Sequence, residues 1–322
     1  MKPLFILSLP RSGSTLVQRI LATHPDISTA SEPWILLPYL YSIRNHGIYT
    51  EYVHSESVTA IEDFIKELPN GKQDYFGAIR KCALHLYKKA SKTETTYFLD
   101  KTPRYHLVID DLIQMFPDGK FIFLWRNPLG VAASIIETWG NSKWNLHRYK
   151  VDLFDGLNNL LMASEKYKER IHEIKYEDLL SQPDKEMKRL FDYIELEYAP
   201  QTLNNFSDIN LNGRLGDPTG AREYKAISTE PLGKWKKTLS NPHRKLWSKH
   251  YLRWIGEEKL SRMGYEMDSL ISEVDKIDSS GKYIVSDLIR RIEGFALSWG
   301  EPVILMNKLR MRPDWWKVHA HR

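Results

Sequence analysis

The stretch Leu4-Phe5-Ile6-Leu7-Ser8-Leu9-Pro10-Arg11-Ser12-Gly13-Ser14-Thr15-Leu16-Val17-Gln18-Arg19-Ile20-Leu21 decides the fold class. Its first part, Leu4–Leu9, is an apolar run closed by Pro10. Such a run suits a central parallel strand, covered on both faces. A short polar loop, Arg11–Ser14, follows. Leu16, Val17, Ile20 and Leu21 then share one face of a predicted helix that ends before His24-Pro25. A buried strand, a loop of small residues and a helix start make an anion site, because loop amides and the helix dipole both favour negative charge. Gly13 lets the backbone approach a ligand closely. Ser12, Ser14 and Thr15 add hydroxyl donors, and Arg11 adds a planar cation suited to phosphate or sulfate. The loop is not a Walker A sequence: no lysine precedes Ser14 or Thr15, and the first glycine of Gly-x-x-x-x-Gly-Lys-Ser/Thr is missing.

Outward from this unit, the same alternation continues. Tyr97-Phe98-Leu99 is a short strand candidate ending at Asp100-Lys101, and a helix is predicted from His106 to Phe116. Phe121-Ile122-Phe123-Leu124-Trp125 is a second buried strand. Asn127 and Pro128 then open a helix as N-cap and first helical residue, with Leu129–Trp139 as its body. Ile171–Lys175 is a further strand, followed by a helix from about Asp184 to Ile194. Trp34 to Ala90 reads as helices and loops. Strand–helix order of this kind predicts an α/β fold, a parallel sheet with helices on both faces. Beyond Tyr265 the pattern changes to amphipathic helices, Ser269–Ile277 and Val285–Trp299. The predicted division is therefore a main domain over 1–265 and a helical C-terminal extension over 266–322, packed on it.

Length and composition set limits on function. The chain has 322 residues, 42% hydrophobic and 27% charged, with a net charge of +5. That charge fits an enzyme handling anions and is too small to argue for nucleic acid. Cys82 is the single cysteine, which excludes an intramolecular disulfide and a cysteine-based metal site, and it is expected to be a small buried apolar residue. The apolar start is too short for a signal peptide and lacks its cleavage site. No run is long enough to span a membrane. The cytoplasm is the expected compartment.

Leu9-Pro10-Arg11-Ser12-Gly13-Ser14-Thr15-Leu16, then His24-Pro25, then Glu32, resembles the PAPS-dependent sulfotransferases, in the branch of tyrosylprotein and carbohydrate sulfotransferases. PAPS is 3′-phosphoadenosine-5′-phosphosulfate. Leu99-Asp100-Lys101-Thr102-Pro103-Arg104-Tyr105 is similar to another segment of that branch. Lys120–Pro128 with Ser134 resembles the family's 3′-phosphate motif, Lys175-Tyr176-Glu177-Asp178-Leu179 its Tyr-Glu-x-Leu segment, and Lys234-Trp235 its basic closing segment. The resemblance implies a P-loop-type sheet, PAPS as donor with PAP as product, and no required metal. It implies that Arg11, Ser12, Gly13, Ser14 and Thr15 hold the 5′-phosphosulfate, and that Arg126 and Ser134 hold the 3′-phosphate. Tyr176 would contact the adenosine end and Lys234 would cover the 3′-phosphate. Lys101, with Arg11, would neutralise the charge that grows on the departing oxygen. Glu32 would act as general base, kept ionised by cations such as Arg11. His106 is the alternative base, since Pro103 stands where another branch has its histidine.

The expected reaction is in-line transfer of a sulfuryl group to an acceptor hydroxyl, on a carbohydrate or small molecule. Competing readings are a P-loop kinase or NTPase, against which the missing Walker lysine argues, and a non-catalytic nucleotide-binding scaffold. Asp217 and Arg222 are candidates for the acceptor side, and Trp34 for its wall. The basic stretch Lys234–Lys249 is read as a solvated helix or as a face for an anionic acceptor or membrane. The last residues, Leu309–Arg322, are read as a cover for the acceptor groove or a contact between two copies of the chain.

Overall fold

The computed structural model describes residues 1–48, 50–91, 93–211 and 226–299. At its centre lies a five-stranded parallel sheet of order β2-β3-β1-β4-β5. The strands are β1 (Lys2–Ser8), β2 (Ile27–Thr29), β3 (Tyr97–Asp100), β4 (Lys120–Trp125) and β5 (Ile171–Lys175). In register, Phe5 stands opposite Asp100, Ser8 opposite Leu124 and Trp125 opposite Lys175.

The apolar runs have a simple cause. Leu4 and Ile6 of β1 point to one face with Leu99, Ile122 and Leu124, while Phe5 and Leu7 point to the other with Phe98, Phe121 and Phe123. Both faces are buried, so both sets must be apolar. The first face is covered by α1 (Ser14–Leu21), α8 (Tyr176–Ser181) and α9 (Pro183–Ile194). The second is covered by α2 (Leu36–Tyr41), α4 (Lys72–Ala90), α5 (Ile109–Met115), α6 (Pro128–Gly140) and α7 (Leu157–Lys166). The helix α3 (His54–Lys66) lies outside this layer, and α10 (Thr202–Asn205) packs on α1.

The predicted helix from His106 to Phe116 is in fact a 3₁₀ turn, Pro103–Leu107, followed by α5. Pro103 fixes the start of that turn. Cys82 is exposed, not buried, on the outer side of α4, with the Tyr39 hydroxyl 3.7 Å from its sulfur.

The C-terminal helices are α11 (Lys234–Thr238), α12 (Pro242–Ile255), α13 (Glu257–Arg262), α14 (Met267–Asp275) and α15 (Ile284–Trp299). In α12, Tyr251 donates its hydroxyl to the carbonyl of Leu153 at 2.7 Å, which ties the helix to the main body. Arg244, in the stretch read as a solvated basic face, is buried instead. Its guanidinium donates to both carboxylate oxygens of Asp287 in α15, at 2.6 and 3.0 Å. Asp217, Arg222 and Leu309–Arg322 lie outside the described residues. Among the described residues, no helix is long and apolar enough to cross a membrane.

Candidate active site

Three strand ends meet at one edge of the sheet: the loop after β1, Lys101 after β3 and Arg126 after β4. Open parallel sheets place ligands at this carboxyl edge.

The loop after β1 is held in a tight curve by two residues with left-handed backbone, Arg11 (φ 67°) and Gly13 (φ 95°). The aromatic ring of Tyr176 presses against Gly13 so closely that a Cβ there would lie 2.3 Å from the ring. Any side chain would therefore lift the loop off its support. Tyr176 is fully buried, and the Arg126 guanidinium lies over its ring at 4.5 Å. The expected contact of Tyr176 with adenosine is thereby corrected: the ring presents no surface and acts from beneath the loop. The next residue, Glu177, accepts from the backbone N–H of Asn127 at 3.0 Å and from the Tyr265 hydroxyl at 2.6 Å. The Tyr-Glu pair thus braces two ligand-facing segments, the loop and the start of α6.

Two helix N-termini face this region, and they differ. Asn127 accepts from the N–H of Leu129 at 2.9 Å, so the start of α6 is capped by its own side chain. The start of α1 has no side-chain cap and no acidic residue in its first turn. Its N–H groups and partial positive charge are directed at the hollow of the loop, where an anion is favoured.

The loop and α6 are joined directly. Arg126 donates to the carbonyl of Arg11 at 2.6 Å, and Arg11 donates from Nε to Ser134 Oγ at 3.2 Å. The Arg11 guanidinium also lies 5.7 Å from the centre of the Trp139 ring, which stacks on Tyr149. The sequence-predicted residues Arg11, Ser12, Gly13, Ser14, Thr15, Arg126 and Ser134 therefore lie on two segments in direct contact.

Glu32 and Lys101 form the second cluster. Lys101 Nζ is 2.6 Å from Glu32 Oε1, and both side chains are largely buried. Lys101 is thus a cation in direct contact with Glu32. The other carboxylate oxygen accepts from the Trp34 indole at 3.1 Å. Trp34 is itself held in left-handed backbone (φ 58°), and its N–H donates to Thr102 Oγ at 3.2 Å. Thr102 donates in turn to Asp100 Oδ1 at 2.9 Å. Asp100 is completely buried and also accepts from the Tyr87 and Tyr105 hydroxyls at 2.6 and 2.9 Å. Burial raises its carboxyl to about 6, against the pull of these donors and Lys101. From the other side, Gln18 of α1 donates to Thr29 Oγ at 2.8 Å and to the carbonyls of Ala30 and Ser31 at 2.7 and 3.1 Å. The segment carrying Glu32 is therefore clamped by α1 and β3 together. Neither Asp100 nor Gln18 was singled out from the sequence.

One expectation fails here. His106 is fully buried and bonded to Asp152 at 2.9 Å, so it cannot reach an acceptor; Arg104 holds the same carboxylate at 2.7 Å. Lys234 is exposed at the start of α11 and pairs with Glu230 at 3.1 Å. What joins α11 to the site is Thr238, which donates to Glu137 of α6 at 2.7 Å.

Comparison with known proteins agrees with this architecture. The chain is 26% identical to nodulation protein NoeE of Sinorhizobium fredii, over 89% of this chain and 71% of that one. It is 25% identical to a protein-tyrosine sulfotransferase of Drosophila melanogaster, over 72% of this chain and 46% of that one. Its fold is similar to the sulfotransferase domain of the Synechococcus PCC 7002 olefin synthase, with a TM-score of 0.54 and 23% identity over 73% of this chain and 87% of the domain. A model of the Sulfotransferase family matches residues 3–200, which include the β1 loop, the Glu32–Lys101 pair and the Arg126–Ser134 arm, and by that match the chain belongs to this family and is a sulfotransferase.

Proposed function

We propose that the enzyme transfers the sulfuryl group of PAPS to an acceptor hydroxyl, on a carbohydrate or small molecule, with Glu32 as general base. The observation that carries this reading is the junction between Arg11, Arg126 and Ser134. A donor with phosphate at both ends of one nucleoside needs two anion-binding groups close together, and this junction supports that reading.

In this reading the amides and hydroxyls of Ser12, Gly13, Ser14 and Thr15 bind the 5′-phosphosulfate against the uncapped start of α1. Arg126 and Ser134 bind the 3′-phosphate, Arg126 through a planar fork and Ser134 through its hydroxyl. The acceptor oxygen forms a bond to sulfur as the bond from sulfur to the bridging oxygen breaks. The acceptor proton passes to Glu32, and the charge left on the departing PAP is balanced by Lys101 and Arg11. Lys101 lies 2.6 Å from Glu32, which supports a base and a cation acting side by side at one reacting centre. Positioning and fixed charge then supply most of the acceleration, as in phosphoryl transfer.

Glu32→Gln tests the base. It keeps the side chain's shape and its acceptor oxygen for Lys101. Turnover should fall by about 10²–10⁴-fold, while calorimetric affinity for PAP stays within about threefold. Unchanged turnover would remove Glu32 from the mechanism. Tighter binding of ATP than of PAP would instead favour a nucleotide triphosphate as donor.

A further inference from the structure

The helix α15 has its apolar side turned outward. The side facing the protein is polar or small. Asp287 is buried there, accepting from Arg244, from Asn241 at 2.7 Å and from the Trp144 N–H at 3.1 Å. Gly294 is so close to His147 that a Cβ would lie 2.5 Å from its ring. On the opposite side, Val285, Leu288, Ile289 and Ile292 are 70, 48, 60 and 63% exposed. Their i, i+3, i+4, i+7 spacing makes one continuous stripe. Single exposed apolar residues need no explanation, whereas a stripe of this kind marks an interaction surface.

Around the helix, basic side chains outnumber acidic ones: Arg148, Lys150 and Arg290 stand against Glu293, which lies 4.0 Å from Arg148. His147 is held below its usual range first by burial, then by the charges of Arg148, Lys150 and Arg290, with Glu293 opposing them. The sequence that continues past α15, residues 300–322, carries five Lys and Arg residues against two acidic ones, with Trp315 and Trp316 adjacent. An apolar stripe on a helix with cations around it, and tryptophans nearby in sequence, has the chemistry of an anionic bilayer interface. Pairing with a second copy fits less well, because a two-fold contact through the stripe would bring two like-charged, net basic surroundings together.

We propose that α15 is a membrane-docking helix, which lays Val285, Leu288, Ile289 and Ile292 into the interface of a bilayer containing anionic lipid. This goes beyond the sulfuryl-transfer reading and does not rest on it.

The test is flotation of the full chain with phosphatidylcholine vesicles and with phosphatidylcholine/phosphatidylglycerol vesicles. The protein should float with the anionic vesicles and less with the neutral ones, and the difference should shrink at high salt. The double variant Ile289→Glu/Ile292→Glu should lower partitioning at least about tenfold with an unchanged thermal midpoint. Arg148→Glu/Lys150→Glu should remove the preference for anionic lipid. Failure of the unaltered chain to float with either vesicle would overturn the proposal. So would unaltered flotation of the Ile289→Glu/Ile292→Glu variant. A dimer seen by light scattering, dissociated by the same double variant and without vesicle binding, would assign the face to a second copy instead.

Discussion

Asp100 joins the chemistry of the site to the stability of the fold. Its carboxyl titrates near 6 in the folded chain because it is buried, against about 3.9 when unfolded. The native state therefore holds this proton more tightly than the unfolded chain. The stability it contributes is full below about pH 4 and is lost as pH rises through about 6, a difference of about 3 kcal/mol. Urea unfolding between pH 4 and 7 should show this fall, and Asp100→Asn should flatten it over that window. A second residue carries the link to Glu32. Thr102→Val keeps volume but breaks the path from Asp100 to the Trp34 N–H. If that path only positions Glu32, turnover should drop by roughly tenfold, an effect the size of one lost hydrogen bond, with PAP affinity unchanged.

At the scale of elements, the loop between β1 and α1 is the most exacting piece. Gly13→Ala would set a Cβ into the Tyr176 ring and force a side chain into left-handed backbone. PAP affinity, measured by calorimetry, should fall at least about tenfold through this steric displacement, whereas Ser12→Ala, a lost hydroxyl alone, should lower it less. The elements that sequence made legible are those with a strong local cause. Strands β1 and β4 read as unbroken apolar runs because both faces are covered, and Asn127-Pro128 marked the start of α6 by cap chemistry. The edge strand β2 has three residues, too few for any period, and was not legible. The split of the predicted helix after Pro103 was missed because its apolar spacing continues through the 3₁₀ turn. Within the site, Arg11, Glu32, Lys101, Arg126 and Ser134 were legible as motif residues. Their supports were not, since Gln18 and Tyr87 act through contacts between residues distant in sequence; Tyr176 was legible as a motif residue, but its place under the loop was not. Cys82 was misread because a small apolar side chain says little about which side of a helix it occupies.

For the molecule as a whole, the sheet edge collects the chemistry and the C-terminal helices brace the far side of α6. Among these helices, α15 is held to α12 by a buried ion pair, Arg244 with Asp287. Removing one partner from such a pair typically costs about 3–5 kcal/mol, because the other charge is left buried alone. Asp287→Ala should therefore loosen α15 first. Hydrogen exchange should rise across residues 284–299 while β1 and β4 stay protected; a uniform rise over the sheet would mean instead that α15 unfolds only with the whole chain. The backbone at Arg11 and Trp34 leads to a different kind of consequence. Both occupy a conformation that glycine adopts freely and that other residues rarely do, yet both have side chains committed to the site. On the proposed mechanism, Arg11→Gly and Trp34→Gly would relax the chain while removing side chains that catalysis uses. At these two positions, on that reading, durability and activity pull evolution in opposite directions.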